Sequence, residues 1–522
     1  NLFRKIEAET GDVAEGFAEA DAVYEGTFSL PKIQHAHMET HGSIAWSDAE
    51  GRIHVRTSTQ APHLVKLKLA YLFQLYPERI RVFSEHGGGG FGGKQELLTE
   101  DLCVLATLKT GRPVKWEFTR SEEFTSAVSR HPMKITIKLG AKRDGALTAM
   151  QIRTVSNTGA YGNHGGEVLA ASFSSSMATY RCPNKKGTGY AVYTNTVPSG
   201  AFRGYGATQS AFALESALDE LARELGIDPI TMRRKNMIRP RDPVHSIWPS
   251  PHDSVIGSYG LDQCLDLVEQ ALASGRGDPK PDGDDWLEGR GVAIHAQDTS
   301  PPTEHRTEAH MALKPDGTYQ LAVGSAEFGN GVRNAQRQVA ATILNTKAAS
   351  VAMDFADTDL TPYDTGTFAS AGVSVATLAV QHAAEALRES LIELAGTISG
   401  KPEEECRLDD GRVICGDRSL TLKSLYDAAP LRDKLQVARK AYGTPRSTIF
   451  LAHGFRIAVH RVTGEIRILQ SVQGMDAGTI INPMQARGQV EGGIAQGIGT
   501  TLFERMMIDG SGAVVNQTFR NY

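Results

Sequence analysis

Glycines cluster at one point where the chain could hold a charged ligand. Residues 87–93, GGGGFGG, follow the strand-like run RIRVF and precede a helix predicted to begin near Glu96. Backbone N–H groups at such a turn, together with the helix dipole, bind anions and oxygen-rich groups, and glycine lets the ligand come close. A P-loop is disfavoured because Gln95 stands where the magnesium-binding hydroxyl belongs. A dinucleotide fingerprint starting at Gly88, with Glu117 as the ribose-binding acid, and a turn without any ligand both remain open.

Four further segments place small residues at predicted helix starts, and three of them also carry an amide or guanidinium side chain. They are AFRGYG (201–206), EFGNG (327–331), TFASAG (367–372) and RGQVEGGIAQGIG (487–499). Arg203 could offer a planar fork to a phosphate or oxo group, and Tyr205 offers a ring for stacking. A single pyrophosphate site would use fewer glycine-rich loops than this. We therefore expect a large, polar ligand buried between the two halves of the chain.

A histidine-rich segment, HAHMETH at residues 35–41, is a second candidate for chemistry. His35, His37, Glu39 and His41 follow one another at steps of two, so on a strand they would share one face. Such spacing can bind zinc. A buried polar strand face with a hydrogen-bonded Glu39 is the favoured interpretation.

Strand-like alternation and helical periodicity occur in both halves of the chain. The strand-like segments are 53–57, 79–83, 114–118, 134–139, 318–323 and 455–460, and the predicted helices are 97–109, 208–225, 332–345, 375–397 and 485–503. The polar segment 276–286 is predicted to link a domain of residues 1–275 to one of residues 287–522. Alternating strands and helices predict an α+β or mixed α/β fold with the ligand between two large domains.

Composition restricts the class of protein and of partner. The 522 residues are 22% charged, with a formal net charge of −5, which gives no general attraction to nucleic acid or to an anionic membrane. No run of about 18 apolar residues and no secretory leader is present, so a cytoplasmic protein is expected. The five cysteines lack the short spacings of zinc ribbons and iron–sulfur clusters, and we expect buried or inert thiols.

Taken together, the motifs resemble those of the molybdenum-binding large subunits of the xanthine dehydrogenase, aldehyde oxidoreductase and carbon monoxide dehydrogenase family. The matching segments are METHGSIA (38–45), GGGGFGGK (87–94), RHP (130–132), AFRGYG with Gln209, EFGNG, GTFAS (366–370) and DAGTIINP to QGIG (476–499). The resemblance implies two molybdopterin-binding domains with the cofactor, in some members a cytosine dinucleotide, between them. No protein side chain need ligate the molybdenum directly.

Carried over by position, the resemblance places several residues beside the metal centre. Phe91 and Gly92 correspond to the backbone near the molybdenum oxo group, and Arg203 to an arginine near the metal. Ala369 and Ser370 correspond to small residues packed against the centre.

The second half supplies the remaining cofactor contacts that the resemblance implies. Gln489 corresponds to the amide that supports catalysis by holding the metal oxygens. Gly329, Asn330 and Gly331 correspond to a cradle for the pterin phosphate, with Asn330 where the family usually has glutamine. Gln34 is offset by one residue from a metal-facing glutamine of many relatives.

The substrate positions depart from those of xanthine-oxidising relatives. Those relatives carry a glutamate directly after the GGFGGK lysine and an arginine upstream of AFRG, whereas this chain has Gln95 and, at about the second position, Ala171. Loss of two directional charged contacts disfavours a purine such as xanthine. Tyr205 occupies the place of a stacking aromatic, and we expect an aldehyde or N-heteroaromatic substrate.

The implied reaction is hydroxylation of an electron-poor carbon, with water as the source of oxygen and a glutamate as general base. That glutamate is expected beyond residue 522, so the chain alone is expected to be incompetent and to need a further segment or chain. Iron–sulfur clusters and FAD are expected on partner chains. Two alternatives stay open: a nicotinamide-dependent Rossmann dehydrogenase and a non-catalytic assembly subunit.

Overall fold

The first half of the chain contains strands and helices in alternation. A computed structural model describes residues 1–242, 254–299, 301, 304–429 and 435–522. The strands of the first half are β1 (Leu2–Thr10), β2 (Ala22–Leu30), β3 (Gly42–Ser47), β4 (Ile53–Thr57), β5 (Ile80–Phe83), β6 (Val114–Glu117), β7 (Met133–Ala141), β8 (Leu147–Gly159) and β9 (Asn184–Tyr193). Its helices are α1 (Val13–Ala18), α2 (Pro62–Phe73), α3 (Glu100–Thr110), α4 (Arg120–Ser126), α5 (Gly165–Ala178), α6 (Ala207–Leu225) and α7 (Pro229–Asn236).

The second half continues the alternation. Its strands are β10 (Ser254–Val255), β11 (Trp286–Asp298), β12 (Arg306–Leu313), β13 (Tyr319–Val323), β14 (Val351–Phe355), β15 (Cys406–Asp409), β16 (Arg412–Cys415), β17 (Arg418–Thr421), β18 (Gln436–Tyr442), β19 (Arg446–His460) and β20 (Ile466–Asp476). Its helices are α8 (Leu261–Ala273), α9 (Val332–Ile343), α10 (Leu378–Ser399), α11 (Leu422–Ala428) and α12 (Pro483–Leu502). A π-helical turn, Gly372–Thr377, leads into α10.

The strands form mixed sheets, which confirms the predicted fold class. The larger sheet of the first half has the order β1-β9-β8-β7-β2, with only the β8–β9 pair parallel. A smaller sheet, β5-β4-β3-β6, carries the residues that lead into the glycine loop. In the second half, β14-β13-β12-β18 form one sheet, and the long strands β11, β19 and β20 form another with β10 at its edge.

One hydrophobic core joins the two halves. Ile135 of β7, Leu218 of α6 and Leu265 of α8 pack in the same cluster as Ile294 of β11 and Phe450 of β19. The sheet built on β19 therefore packs against the first half, while a second core lies between α10 and the β12–β13 sheet. Segment 276–286 lies along β20, since Asp278 N donates to Leu469 O over 2.8 Å. The domain division at this segment stays a prediction.

The predicted helix after the glycine loop begins later than expected. It starts at Glu100 rather than near Glu96, because the Glu100 carboxylate accepts hydrogen bonds from Leu98 N and Thr99 N over 3.1 and 3.2 Å. Residues 95–99 are therefore irregular, and the glycine loop is not the N-terminus of a helix. The anion-binding argument from a helix dipole is wrong for this loop.

Two cysteines differ from the expectation of five free thiols. Cys406 and Cys415 face each other in the antiparallel pair β15–β16 and form a disulfide, whereas Cys103, Cys182 and Cys264 are free. Burial raises the pKa of each free thiol to about 11, so these three are inert as predicted. Among the described residues, no helix combines the length and apolar character that crossing a bilayer requires.

Candidate functional site

The glycine loop and the AFRGYG turn are in direct contact. Arg203 N donates a hydrogen bond of 2.9 Å to Phe91 O. Phe91 and Gly92 both have left-handed backbone angles, with φ of 51° and 98°. A Cβ on Gly92 would lie 2.8 Å from Ala201 O. Glycine is therefore required here both by the backbone angle and by the close approach of the second loop.

Gln60, a buried residue that the sequence analysis did not single out, ties the glycine loop to the GTFAS segment. Its Oε1 accepts hydrogen bonds from Gly92 N over 3.0 Å and from Lys94 N over 3.3 Å. Its Nε2 donates to Thr367 O over 3.0 Å. Nothing in the spacing of the sequence marked this residue, because its partners lie in two distant loops.

Arg203 reaches from the first half to helix α12. One guanidinium nitrogen donates to Gln489 O over 2.8 Å and another to Gln496 Oε1 over 3.2 Å. The Gln489 side chain in turn donates to Gly329 O over 3.3 Å. The structure thus brings three of the predicted segments to one place through a chain of polar contacts.

The charge of Arg203 is not neutralised locally. Among the described residues no carboxylate forms an ion pair with it, and burial lowers the pKa of its guanidinium below the usual value. A half-buried cation without a carboxylate partner has lost part of its hydration, so binding of an anion beside it is favourable. The position next to glycine-lined loops indicates a site for an oxygen-rich anionic ligand.

The EFGNG loop is organised by Glu327. Its carboxylate accepts hydrogen bonds from Gly329 N, Gly331 N and Arg333 N over 2.9 to 3.1 Å. These bonds hold the loop in its turn, while Asn330 Oδ1 is buried and has no hydrogen-bond partner among the described residues. The backbone donors of Gly329 and Gly331 are therefore used by Glu327, and Asn330 Oδ1 is the polar atom of the predicted cradle that this part of the structure leaves unpaired.

The GTFAS segment brings small residues to the same region. Ala369 and Ser370 have φ of 54° and 62°, a conformation uncommon outside glycine and found at binding sites. They follow Thr367, whose backbone N donates 2.9 Å to Gln60 O. The π-helical turn directly after them is a feature frequent at functional sites.

The side chain of Gln34 makes its hydrogen bonds within the first half of the chain, beside His35, which contacts Ala201 O over 2.7 Å. Gln34 Nε2 donates to Glu123 O over 2.6 Å, and Gln34 Oε1 accepts from His35 N over 2.6 Å. The hydroxyl of Tyr522 accepts a 2.7 Å bond from Gln34 N. Both ends of the amide are thus used within the first half, with no contact to Arg203 or Gln489 among the described residues.

The HAHMETH segment is not a strand, contrary to expectation, because Ala36 has a φ of 54° that interrupts extended backbone. His37, His41 and Glu123 nevertheless converge, with one ligand atom of each within 4.8 Å of the others. Glu39 is hydrogen-bonded as predicted, by Ser58 and by the buried Lys94.

A buried hydrogen-bonded pair, His41 and Glu123, forms the centre of this cluster. His41 Nδ1 lies 2.9 Å from Glu123 Oε1 and His41 Nε2 lies 2.9 Å from Gly93 O. The two ring nitrogens of His41 therefore join the Glu123 carboxylate to the backbone of the glycine loop. Burial alone would raise the pKa of Glu123, but its bonds to His41 lower it. The pair anchors the end of the glycine loop.

The predicted substrate residues Gln95, Ala171 and Tyr205 lie near the side chain of His164 or on the elements next to it. Tyr205, with φ of 46°, places its hydroxyl 2.6 Å from His164 Nδ1. His164 caps helix α5, which carries the half-buried Ala171. Gln95 is also half-buried and precedes Glu96, which contacts His164.

Comparison with known proteins identifies the family. Residues 1–237 match one family model described as a molybdopterin cofactor-binding domain, and residues 269–522 match a second with the same description. The xanthine dehydrogenase molybdenum-binding subunit from Escherichia coli O157:H7 is 33% identical over 539 residues, covering 100% of this chain and 71% of that protein. The chain belongs to the molybdenum-binding subunits of the xanthine dehydrogenase family.

Other members of the family show how this chain compares in length and fold. A probable hypoxanthine oxidase from Escherichia coli K12 is 33% identical over 541 residues, and the chain spans about half of it, 55%. Quinoline 2-oxidoreductase from Pseudomonas putida 86 is 26% identical, with a TM-score of 0.89 over 100% of this chain and 70% of that one. The dinucleotide alternative finds no support: Glu117 is exposed and paired with Lys115 over 2.9 Å.

Proposed function

We propose that this chain holds a molybdopterin cofactor between its two halves, as part of a hydroxylase for an aldehyde or an N-heteroaromatic carbon. The single observation that carries this proposal is the half-buried cation of Arg203, which has no carboxylate partner among the described residues and donates hydrogen bonds to Gln489 O and Gln496 Oε1 of the opposite half. Family membership supplies the reaction type. Xanthine is disfavoured as substrate by Gln95 and Ala171.

The residues at the junction suit a large, polar and anionic group. Arg203 supplies a fork of donors, Asn330 a buried acceptor without a partner, and Gly92 a backbone that allows close approach. Gln489 is positioned to donate hydrogen bonds toward oxygen atoms held beside Arg203, and Ala369 leaves space. When bound, the cofactor supplies a two-electron acceptor and activates water for attack on the substrate carbon.

We assign the remaining parts of the reaction to other segments or chains. Resemblance to the family assigns the general base to a glutamate outside residues 1–522. The electrons leave through iron–sulfur clusters and FAD on partner chains of a cytoplasmic hetero-oligomer. The pterin carries cytosine as a dinucleotide in this proposal, as the resemblance to some members of the family implies.

Elemental analysis of the full protein, purified with its natural partners, tests this function. We expect molybdenum in stoichiometric amount, release of a pterin nucleotide on denaturation, and isotope from labelled water in the hydroxylated product. Absence of both molybdenum and pterin would contradict the proposal. Cofactor without turnover of any aldehyde or heteroaromatic would instead indicate a non-catalytic subunit.

A further inference from the structure

Glu96, His164 and Tyr205 form a polar chain beside the candidate substrate residues. His164 Nε2 lies 3.1 Å from Glu96 Oε1, and His164 Nδ1 lies 2.6 Å from the Tyr205 hydroxyl. Asn163 Nδ2 donates to the same Glu96 oxygen over 2.8 Å. The chain links the end of the glycine loop, the start of helix α5 and the AFRGYG turn.

The partners fix the protons in this chain. Glu96 Oε1 accepts from both Asn163 and His164 Nε2, so His164 Nδ1 is left to accept the Tyr205 O–H. Burial alone would raise the pKa of Glu96, but the hydrogen bonds of His164 and Asn163 lower it, so the carboxylate is ionised. Burial raises the pKa of Tyr205, which keeps its hydroxyl protonated.

One oxygen of this ionised carboxylate is unused. Glu96 Oε2 is buried and has no hydrogen-bond partner among the described residues, and only 15% of the side chain is exposed. A buried carboxylate oxygen without a donor is costly, so a ligand that brings a donor is favoured there. Gln95 precedes this residue, and Tyr205 and Ala171 lie on the two elements that His164 connects.

We propose that Glu96 Oε2 accepts a hydrogen bond from a ring N–H group of a heteroaromatic substrate, with His164 and Tyr205 positioning the carboxylate. The inference rests on the proposed function and narrows its substrate class to neutral aromatic rings that contain an N–H donor. The carboxylate stands one residue after Gln95, where the sequence alone indicated that no acidic contact was available.

Binding of two matched probes to the full protein with its partners tests this role. The probes are 2-quinolone and coumarin, which share a bicyclic ring and a carbonyl but carry N–H and O, respectively, at the same ring position. We expect 2-quinolone to bind the unmodified protein about 10-fold or more tightly than coumarin, measured by isothermal titration calorimetry. In Glu96→Gln, the amide oxygen must stay toward His164 and Asn163, so an NH₂ group faces the ligand N–H. The affinity for 2-quinolone should then fall about 10-fold or more, while that for coumarin changes less than about twofold.

Control variants separate ligand binding from folding. Glu117→Gln alters an exposed carboxylate and should leave both affinities unchanged. His164→Gln, which can donate to Glu96 and accept from Tyr205, should retain more discrimination between the probes than His164→Ala. The inference would be overturned if Glu96→Gln lost affinity equally for both probes. It would also be overturned if an unmodified protein that contains molybdenum bound both probes with equal affinity. Either result would leave the proposed function intact. If a protein without molybdenum or pterin still bound 2-quinolone more tightly than coumarin, the role of Glu96 as acceptor for a ring N–H would be supported and the proposed function as a molybdenum hydroxylase would be refuted.

Discussion

Replacing Gln60 by leucine should loosen the contact between the glycine loop and the GTFAS segment. The substitution removes three side-chain hydrogen bonds and leaves Gly92 N, Lys94 N and Thr367 O without those partners. Gln60 itself is only 2% exposed, so water cannot substitute. Each buried group left unpaired costs about 1 kcal/mol or more, so the variant should lose roughly 3 kcal/mol of unfolding free energy.

Calorimetry and metal analysis would measure this loss. At about 2–4 °C per kcal/mol for a cooperative unit of about 150–250 residues, roughly one half of the chain, Gln60→Leu should lower Tm by roughly 6–12 °C. Molybdenum content should fall as well, because the loops that contain Gly92 and Thr367 are no longer held in position relative to each other. The control, Gln263→Leu on the exposed face of α8, should stay within about 0.5 kcal/mol of the unmodified protein. A Gln60→Leu variant with unchanged Tm and full molybdenum content would refute the assignment of Gln60 as the link.

Three further perturbations test separate features of the structure. Arg203→Gln should reduce molybdenum content, measured by metal analysis, about 10-fold without lowering the Tm of the cofactor-free protein, measured by calorimetry. The surface variant Arg223→Gln should leave both the molybdenum content and the Tm unchanged. Gly92→Ala should cost about 3 kcal/mol or more in denaturant titrations, because its Cβ would meet a backbone oxygen at 2.8 Å, while Gly111→Ala, with nothing within 4 Å, should cost about 1 kcal/mol. Burial lowers the pKa of Lys32 from 10.5 to about 7, so between these values the unfolded chain holds one more proton and stability rises with pH. Lys32→Met should remove up to about 1.4 kcal/mol per pH unit of that slope, and an unchanged slope between pH 7 and pH 10 would show that the amine is not buried as described.

Local sequence patterns predicted most of the elements and most of the loops that meet. Helix α6 spans Ala207–Leu225 against a predicted 208–225, because Leu214, Leu218 and Leu221 repeat on one buried face and Gly226 ends it. Phe212 departs from that face and is 49% exposed. Small residues next to Arg203 indicated that this turn packs closely against another loop, and the turn does contact the glycine loop through the bond from Arg203 N to Phe91 O.

Contacts between distant residues could not be predicted in the same way. Gln60 bonds to Thr367, a residue 307 positions away, and no local pattern indicates that pairing. Glu96 shows the same limit. Beside Gln95 it was counted only as the start of a helix, yet capping by Glu100 delays the helix and leaves Glu96 free to reach His164.

Gln60 and Arg203 illustrate why stability and cofactor binding should be separable at this site. Gln60 satisfies three backbone groups, so its loss affects the fold and the site together. Arg203 donates hydrogen bonds to two glutamines but carries a half-buried charge that these neutral partners do not cancel. Removing that charge relieves a desolvation cost in the cofactor-free protein and takes away the group that an anionic ligand would neutralise. A site whose main cation is unfavourable until a ligand binds should therefore gain stability when the cofactor is inserted.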